Sequence, residues 1–195
     1  MGNRMPLAHA DVALLPPERA PQEAARLIAE VANPEVRDEL FWALTQCGAP
    51  ALEVLAEVAT AQDESMRWHA VEAMRHLGGR HVVAPLIAAL EDDAFAVRWA
   101  AAHGPIDAGE PALVPLLRVL VTRPASLAFH GAARRVLRAI AARGAGAEAL
   151  ASLIAALGRE TSIYESGVLA LEQLERLRRA PPPPVQAWRR DADPS

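Results

Sequence analysis

The sequence predicts an all-α fold: a right-handed α-α superhelix, or solenoid, of about five helix pairs. Three observations predict it. The chain contains an internal repeat of roughly 30 residues, apolar residues recur at helical spacing within each repeat, and the composition favours helices. The 195 residues are 52% hydrophobic but only 4% aromatic, so the core must be built mainly from Ala, Leu and Val. Ala and Leu are strong helix formers, whereas strands favour β-branched and aromatic residues.

The repeat is clearest in two stretches, MRWHAVEAM at 66–74 and VRWAAAH at 97–103. An aliphatic residue, Arg and Trp return in the same order in both. Alignment on this pattern divides the chain into five units, at 20–48, 49–79, 80–109, 110–144 and 145–179. Each unit holds two segments with apolar residues at i, i+3 and i+4, separated by a short turn, which predicts two helices per unit. No stretch alternates with period two, so we expect no sheet.

The turns carry the residues that start and stop helices. Asp63 and either Asp92 or Asp93 stand where an N-cap side chain is needed. Four units end on glycine, as expected for C-caps in the left-handed conformation, at Gly48, Gly78 or Gly79, Gly109 and Gly144. Unit three is irregular, because Gly104-Pro105 interrupts its second segment and predicts that the helix ends or kinks there. The irregularity is either functional or a damaged repeat.

The two ends of the chain differ from the units. Residues 1–19 contain three prolines and few periodic apolar residues, which predicts a loose arm or a partial cap. Residues 20–179 form the predicted repeat domain. Residues 180–195, APPPPVQAWRRDADPS, begin with a proline run that favours polyproline II and predicts a disordered tail. A short docking peptide around Trp188 is the alternative.

The pattern of a turn with Asp followed by V-R-x-x-A-x-x-A-L-x-x-L-G resembles the HEAT repeat, particularly the short bacterial variety also found in phycobilisome lyases. The match is best from Met66-Arg67 to Gly78. The resemblance implies that the repeat arginines bond turn groups of adjacent units, rather than a ligand. The residues of this predicted Arg/Asp ladder are Arg37, Asp63, Arg67, Asp92, Asp93 and Arg98.

The resemblance also implies that the second helix of each unit lines a concave face. We count each second helix from its aliphatic residue at position 0, taken as Leu127 in unit four, with positions 4, 7, 8 and 11 in the core. Residues at positions 2, 3 and 6 are then expected at the groove: Trp42, Trp68, His69, Glu72, Trp99, His103, Phe129 and His130. The aromatic row formed by Trp68, Trp99 and Phe129 either binds a partner or fills gaps in an Ala-rich core. A column of small residues, Ala70, Ala101, Gly131 and Gly167, is expected to let second helices approach closely.

The charged residues are unevenly distributed. Net charge is −4, with −9 in residues 1–110 and +5 in residues 111–195, and all 20 basic residues are Arg. A phosphate-reading groove should be basic, so nucleic acid is a disfavoured partner. Cys47 is the one cysteine, which leaves no intrachain disulfide and no Cys-based zinc site. A metal site made by His69, His103 and His130 is conceivable, but there is no HE dipeptide, and we expect neither metal nor cofactor.

These features predict a non-enzymatic scaffold that presents its concave surface to a protein or peptide. No phosphate loop, nucleophile motif or paired metal carboxylates stand out. One alternative is a DNA-binding enzyme resembling HEAT-like alkylpurine DNA glycosylases, using Trp68, Trp99, Arg98 and the arginines near residue 135. Another is a bilin lyase or its chaperone. No signal peptide or apolar run of about 18 residues is evident, so we expect no membrane contact and a cytoplasmic location.

Overall fold

The computed structural model describes residues 34–122, 126–144, 146–159 and 163–179, except for the side chains of 34–38, 177 and 178. The predicted arm at 1–19, the first segment of unit one and the predicted tail at 180–195 lie outside the described residues. Within them the chain forms helices and no strand, so the all-α prediction is confirmed. The α-helices are α1 Pro34–Gln46, α2 Ala51–Val58, α3 Glu64–Leu77, α4 Val83–Ala88, α5 Phe95–Ala108, α6 Glu110–Thr122, α7 Leu127–Ala141, α8 Ala147–Arg159 and α9 Ile163–Arg179. Short 3₁₀ turns, Arg80–Val82 and Ala89–Glu91, flank α4.

The helices form two rows. Helices α1, α3, α5 and α7 pack one against the next, while α2 packs on α3, α4 on α5, and α6 on α4. The core runs continuously between the rows and consists almost entirely of Leu, Ala, Val and Ile side chains. Neither helix of a pair can bury its apolar face alone, so stacking neighbouring pairs is what removes these faces from water.

The predicted caps are confirmed at Asp63, Gly78 and Gly109, although the two glycines have ψ values outside the left-handed helical region. Two predicted caps are wrong: α7 has its C-cap at Ala142, before Gly144, and α5 has its N-cap at Ala94, not at Asp92 or Asp93. Gly48, Gly78, Gly109 and Gly144 all have positive φ. Gly78 has φ 63° and ψ −169°, a region that is open essentially to glycine alone. At the other end of α3, the carboxylate of Asp63 accepts a hydrogen bond of 2.8 Å from the amide of Met66. Asp63 therefore sets where α3 begins, and Gly78 and Gly109 set where α3 and α5 end.

The second helix of unit three does not end at Gly104-Pro105, so that part of the prediction is wrong. Helix α5 runs from Phe95 to Ala108 with Pro105 inside it. Both residues are buried, and a Cβ added at Gly104 would collide with the side chain of Leu86 on α4. The glycine thus allows α4 and α5 to approach closely, and this packing outweighs the hydrogen bond that proline removes.

The last unit departs from the predicted stacking of second helices. Helix α8 packs on α7, and α9 packs on α6 and α8. A Cβ at Gly167 would lie 2.7 Å from Cγ1 of Val121 on α6, whereas one at Gly131 would meet no atom within 4 Å. The small-residue column is therefore wrong for these two glycines: Gly167 accommodates α6, and Gly131 is exposed. The row α1, α3, α5, α7 is extended by α8, and α9 closes the other row.

Candidate partner-binding surface

Four aromatic side chains are exposed on the row of second helices. Their exposed fractions are 60% for Trp42 on α1, 38% for Trp68 on α3, and 60% and 47% for Phe95 and Trp99 on α5. We call these four residues the aromatic surface. Each Trp is on a helix whose opposite side packs into the core, so the helices hold the rings in fixed positions. Phe95 was absent from the predicted site, although it precedes Trp99 by four residues and so lies on the same helix face.

At the Trp42 end, the surface contains a shallow hollow between α1 and α3. The ring of His76 meets Trp42 edge-on, with ring centroids 6.1 Å apart. Glu72 is held in place by Arg75, whose Nε and Nη2 donate to its carboxylate at 3.0 and 2.8 Å. The volume of the hollow is about 130 Å³, and its lining is Phe41, Trp42, Thr45, His69, Glu72, Ala73 and His76. The hollow therefore combines apolar walls with one carboxylate and two imidazoles.

At the Trp99 end, an arginine from α7 lies over the indole ring. The guanidinium carbon of Arg135 lies 4.1 Å from the Trp99 ring centroid and 5.8 Å from that of Phe95. The rings of Phe95 and His103 flank Trp99 at 6.0 and 5.6 Å. A cation over the face of an indole is attracted by the ring quadrupole. Arg135 thus links α7 to the aromatic surface of α5.

Phe129 is the residue at which the predicted aromatic row is wrong. Its side chain is fully buried, whereas Leu127, the assumed position 0 of unit four, is 65% exposed. The hydroxyl of Ser126 caps α7 by accepting from the amide of Phe129, as Asp63 caps α3 by accepting from Met66. Phe129 is therefore the true position 0, two residues later than assumed. Gly131 then corresponds to Trp68 and Trp99, and Arg135 to Glu72.

The predicted histidines are spread over three helices. Nδ1 of His69 donates to the carbonyl of Ser65 at 2.6 Å, and its ring stacks on Phe41. Nδ1 of His103 donates to the carbonyl of Trp99 at 2.9 Å. Nδ1 of His130 is buried without a hydrogen-bond partner. In the part of the chain that the structure describes, no three His, Cys, Asp or Glu side chains gather as metal ligands would.

Arg67 joins two repeat units through one guanidinium group. Its Nε and Nη2 donate to the two carboxylate oxygens of Asp92 at 2.7 and 3.1 Å, and Nη2 also reaches Asp93 at 2.7 Å. Its Nη1 donates to the carbonyls of Ala61 and Gln62, in the turn before its own helix. A bidentate arginine–carboxylate pair fixes geometry as well as charge, so Arg67 holds the turn of unit two against that of unit three.

The other predicted members of the ladder behave differently. Arg98 donates to the backbone carbonyls of Asp92 and Asp93, at 2.6 and 2.7 Å. Asp63 serves as the N-cap of α3. The side chain of Arg37 lies outside the described residues. Within the described chain, the Arg67–Asp92 pair is the carboxylate link between units that the sequence pattern anticipated.

The environment of Asp92 shifts its pKa. Burial by itself raises the pKa of this carboxyl, but hydrogen bonds from Arg67 and from the amide of Ala94, together with the charge of Arg67, outweigh burial and lower it. The side chain of Asp92 is only 8% exposed, whereas that of Asp93 is 91% exposed. Exposed ion pairs add little to folding stability. Asp92 is therefore expected to contribute more to stability than Asp93.

Stacked helix pairs that bury a continuous core between two rows define an α-solenoid repeat protein. Comparison with protein families matches the chain to the family model for HEAT repeats, over residues 23–105 and again over 52–138. The two matches together cover more than half of the chain, so it belongs to the HEAT-repeat proteins. No curated protein matches it. The finer resemblance to the repeats of phycobilisome lyases stays a prediction. No helix among the described residues is long and apolar enough to cross a membrane.

Proposed function

We propose that this HEAT-repeat protein is a non-enzymatic scaffold that binds a protein or peptide partner on its aromatic surface. The observation that carries the proposal is the exposure of Trp42, Trp68 and Trp99 on three consecutive helices of one row. Leaving large aromatic side chains in water forgoes the free energy of burying them. Tryptophan is also the residue type most enriched among the side chains that dominate binding energy at protein interfaces.

The rigidity of this surface supports the same proposal. The three tryptophans are on helices whose opposite sides are packed in the core, so a partner would order few side chains on binding. Such pre-organisation lowers the entropy cost of association. The flanking histidines and Glu72 supply polar groups beside the rings, and Arg135 supplies one over Trp99. Interfaces commonly combine an apolar centre with such polar groups around it.

Site-specific photo-crosslinking in the host cells tests the proposal. A benzoylphenylalanine in place of Trp42 or Trp68 should crosslink to the same partner protein. The control replaces Ala88, an exposed residue of α4 in the other row, and should not capture that partner. Absence of a common crosslinked protein at the two tryptophan positions, or equal capture at Ala88, would contradict the proposal. Crosslinks to DNA or to a bilin-carrying protein would instead favour the corresponding alternatives.

A further inference from the structure

Helix α7 has a hollow where α3 and α5 have tryptophan. Gly131 occupies the register position of Trp68 and Trp99, it is exposed, and the space beside its Cα is open. The hollow measures about 390 Å³ and is lined by Gly131, Arg134, Arg135 and Arg138. These residues are spaced i, i+3, i+4 and i+7, which puts them on one face of the helix. We call this feature the α7 hollow.

The three arginines of the α7 hollow concentrate positive charge. None of their guanidinium groups is within ion-pairing distance of a carboxylate in the described residues. Arg134 donates through Nε to the carbonyl of Ile154 on α8, at 3.2 Å. Like charges held together without a counter-charge repel one another, and an anion bound among them relieves that repulsion. The hollow therefore favours an anionic group.

Arg135 connects the α7 hollow to the aromatic surface. Its guanidinium carbon lies over the Trp99 ring, 4.1 Å from the centroid, while the same side chain lines the hollow. A guanidinium has five N–H donors, and those of Arg135 make no hydrogen bond to the described residues, so they are available for a carboxylate. A ligand that places an apolar side chain on Trp99 can therefore place a neighbouring anionic group in the hollow.

We infer that the α7 hollow is a carboxylate-binding subsite for the acidic stretch of a peptide whose apolar side chains lie on Trp99. This inference rests on the proposed function and specifies the partner: an extended peptide with aromatic or aliphatic residues next to Asp or Glu. A continuous polyanion such as nucleic acid fits less well, because α1 and α3 carry the exposed residues Glu39 and Glu64 and the half-buried Glu72 on the same row. The acidic side chains thus lie towards the α1 end of the row, and the three arginines of the α7 hollow lie at its other end.

Fluorescence anisotropy at low salt tests the inference with defined probes. One labelled peptide has a tryptophan followed by a run of glutamates, a second replaces the glutamates with glutamines, and a single-stranded oligonucleotide is the third probe. The acidic peptide should bind at least roughly tenfold more tightly than the glutamine peptide, the minimum expected for one charge-assisted hydrogen-bonded contact. Arg138→Gln should reduce that preference, whereas Arg118→Gln, on α6 in the other row, should leave it unchanged.

Gly131 offers a variant that separates binding from folding. Gly131→Glu places a carboxylate among the arginines, and replacing a helical glycine should preserve or improve helix stability. We expect it to abolish the preference for the acidic peptide, while Gly131→Gln, similar in size but uncharged, retains part of it. Circular dichroism should show both variants folded.

Three results would overturn the inference: no binding of the acidic peptide, equal binding of the two peptides, or tighter binding of the oligonucleotide. If the two peptides bind equally and Trp99→Ala weakens both, the carboxylate subsite is refuted while the aromatic surface stands. If neither peptide binds and the tryptophan positions give no common crosslink, the proposed function fails as well.

Discussion

At the scale of single residues, Arg67 and Asp92 show how a repeat array fixes the spacing of its units. The carboxylate of Asp92 receives two hydrogen bonds from Arg67 and one of 2.8 Å from the amide of Ala94. The ionised carboxylate is therefore better stabilised in the folded chain than in the unfolded one, despite its burial. Its lowered pKa expresses this difference.

The lowered pKa predicts how stability depends on acid. A carboxyl whose folded pKa lies below its unfolded value contributes stability that is fully present above the unfolded value, about 3.8. That contribution is lost as pH falls below this value and through the lower folded pKa. Asp92→Asn should therefore cost about 1.5–3 kcal/mol near pH 7, the range for hydrogen bonds to charged groups, and the difference from wild type should shrink in acid.

Urea unfolding of the wild type and the variant across this pH range measures the effect. Asp93→Asn is the matched control, because Asp93 also contacts Arg67 but is 91% exposed. It should cost much less. Equal losses in the two variants, or a cost for Asp92→Asn that does not change with pH, would show that the pair does not stabilise the turn as described.

Gly104 is a residue whose structural role the sequence pattern predicted wrongly. It reads as a helix breaker, yet it is buried in α5 because Leu86 of α4 occupies the space a side chain would need. Gly104→Ala should destabilise the protein by about 1–3 kcal/mol through overpacking. Gly131→Ala, at an exposed helical glycine with open space, should be neutral or stabilising in the same thermal unfolding measurement. Equal melting of the two variants would contradict the close approach of α4 and α5.

At the scale of helices, the same sequence pattern predicts the register of α3 correctly and that of α7 incorrectly. In α3 the Asp63 cap, the aliphatic residue three positions later and the following Arg agree on the register. In α7 the arginine is replaced by His130, and either Leu127 or Phe129 could be the apolar residue at position 0. The Ser126 cap decides for Phe129, since the capping side chain bonds the amide three residues on in both helices. Cap position is thus a better register marker than the first apolar residue.

The arrangement of α8 and α9 could not be predicted from periodicity. Both helices have the expected apolar faces, and the sequence pattern continues through Ile163, Gly167 and Leu171. Which neighbour each face meets depends on the fit between side chains of distant helices, such as Val121 of α6 against Gly167. A repeat pattern specifies the faces of helices, and packing at the end of the array specifies their partners.

At the scale of the molecule, the architecture was predictable because it is repeated. Helices, turns and glycine C-caps each depend on residues close in sequence, and several units repeat the same information. The aromatic surface was predictable only in part. Trp42, Trp68 and Trp99 follow from the register. Phe95 lies one turn before Trp99 on the same helix and could have been predicted, whereas Arg135 joins the surface through a contact between α5 and α7 that no single unit encodes.

The arrangement along the row gives the molecule a directional surface. Trp42, Trp68 and Glu72 lie on α1 and α3, the rings of Phe95 and Trp99 lie on α5, and the three arginines of the hollow lie on α7. A partner with a matching order of side chains would bind in one orientation, since like charges meet when it is reversed. The binding surface requires that the tryptophans lie outside the core, as their exposed fractions indicate.

Chemical unfolding of Trp68→Ala, Trp99→Ala and Phe129→Ala tests that claim before any partner is known. The two tryptophan variants should each lose less than about 1.5 kcal/mol, since their rings contact solvent and the pair of Trp99 and Arg135 contributes about 0.5–1 kcal/mol at an exposed site. Phe129→Ala should lose about 3–5 kcal/mol, because it leaves a cavity in the core. Losses of 3–5 kcal/mol in both tryptophan variants, matching that of Phe129→Ala, would contradict the claim.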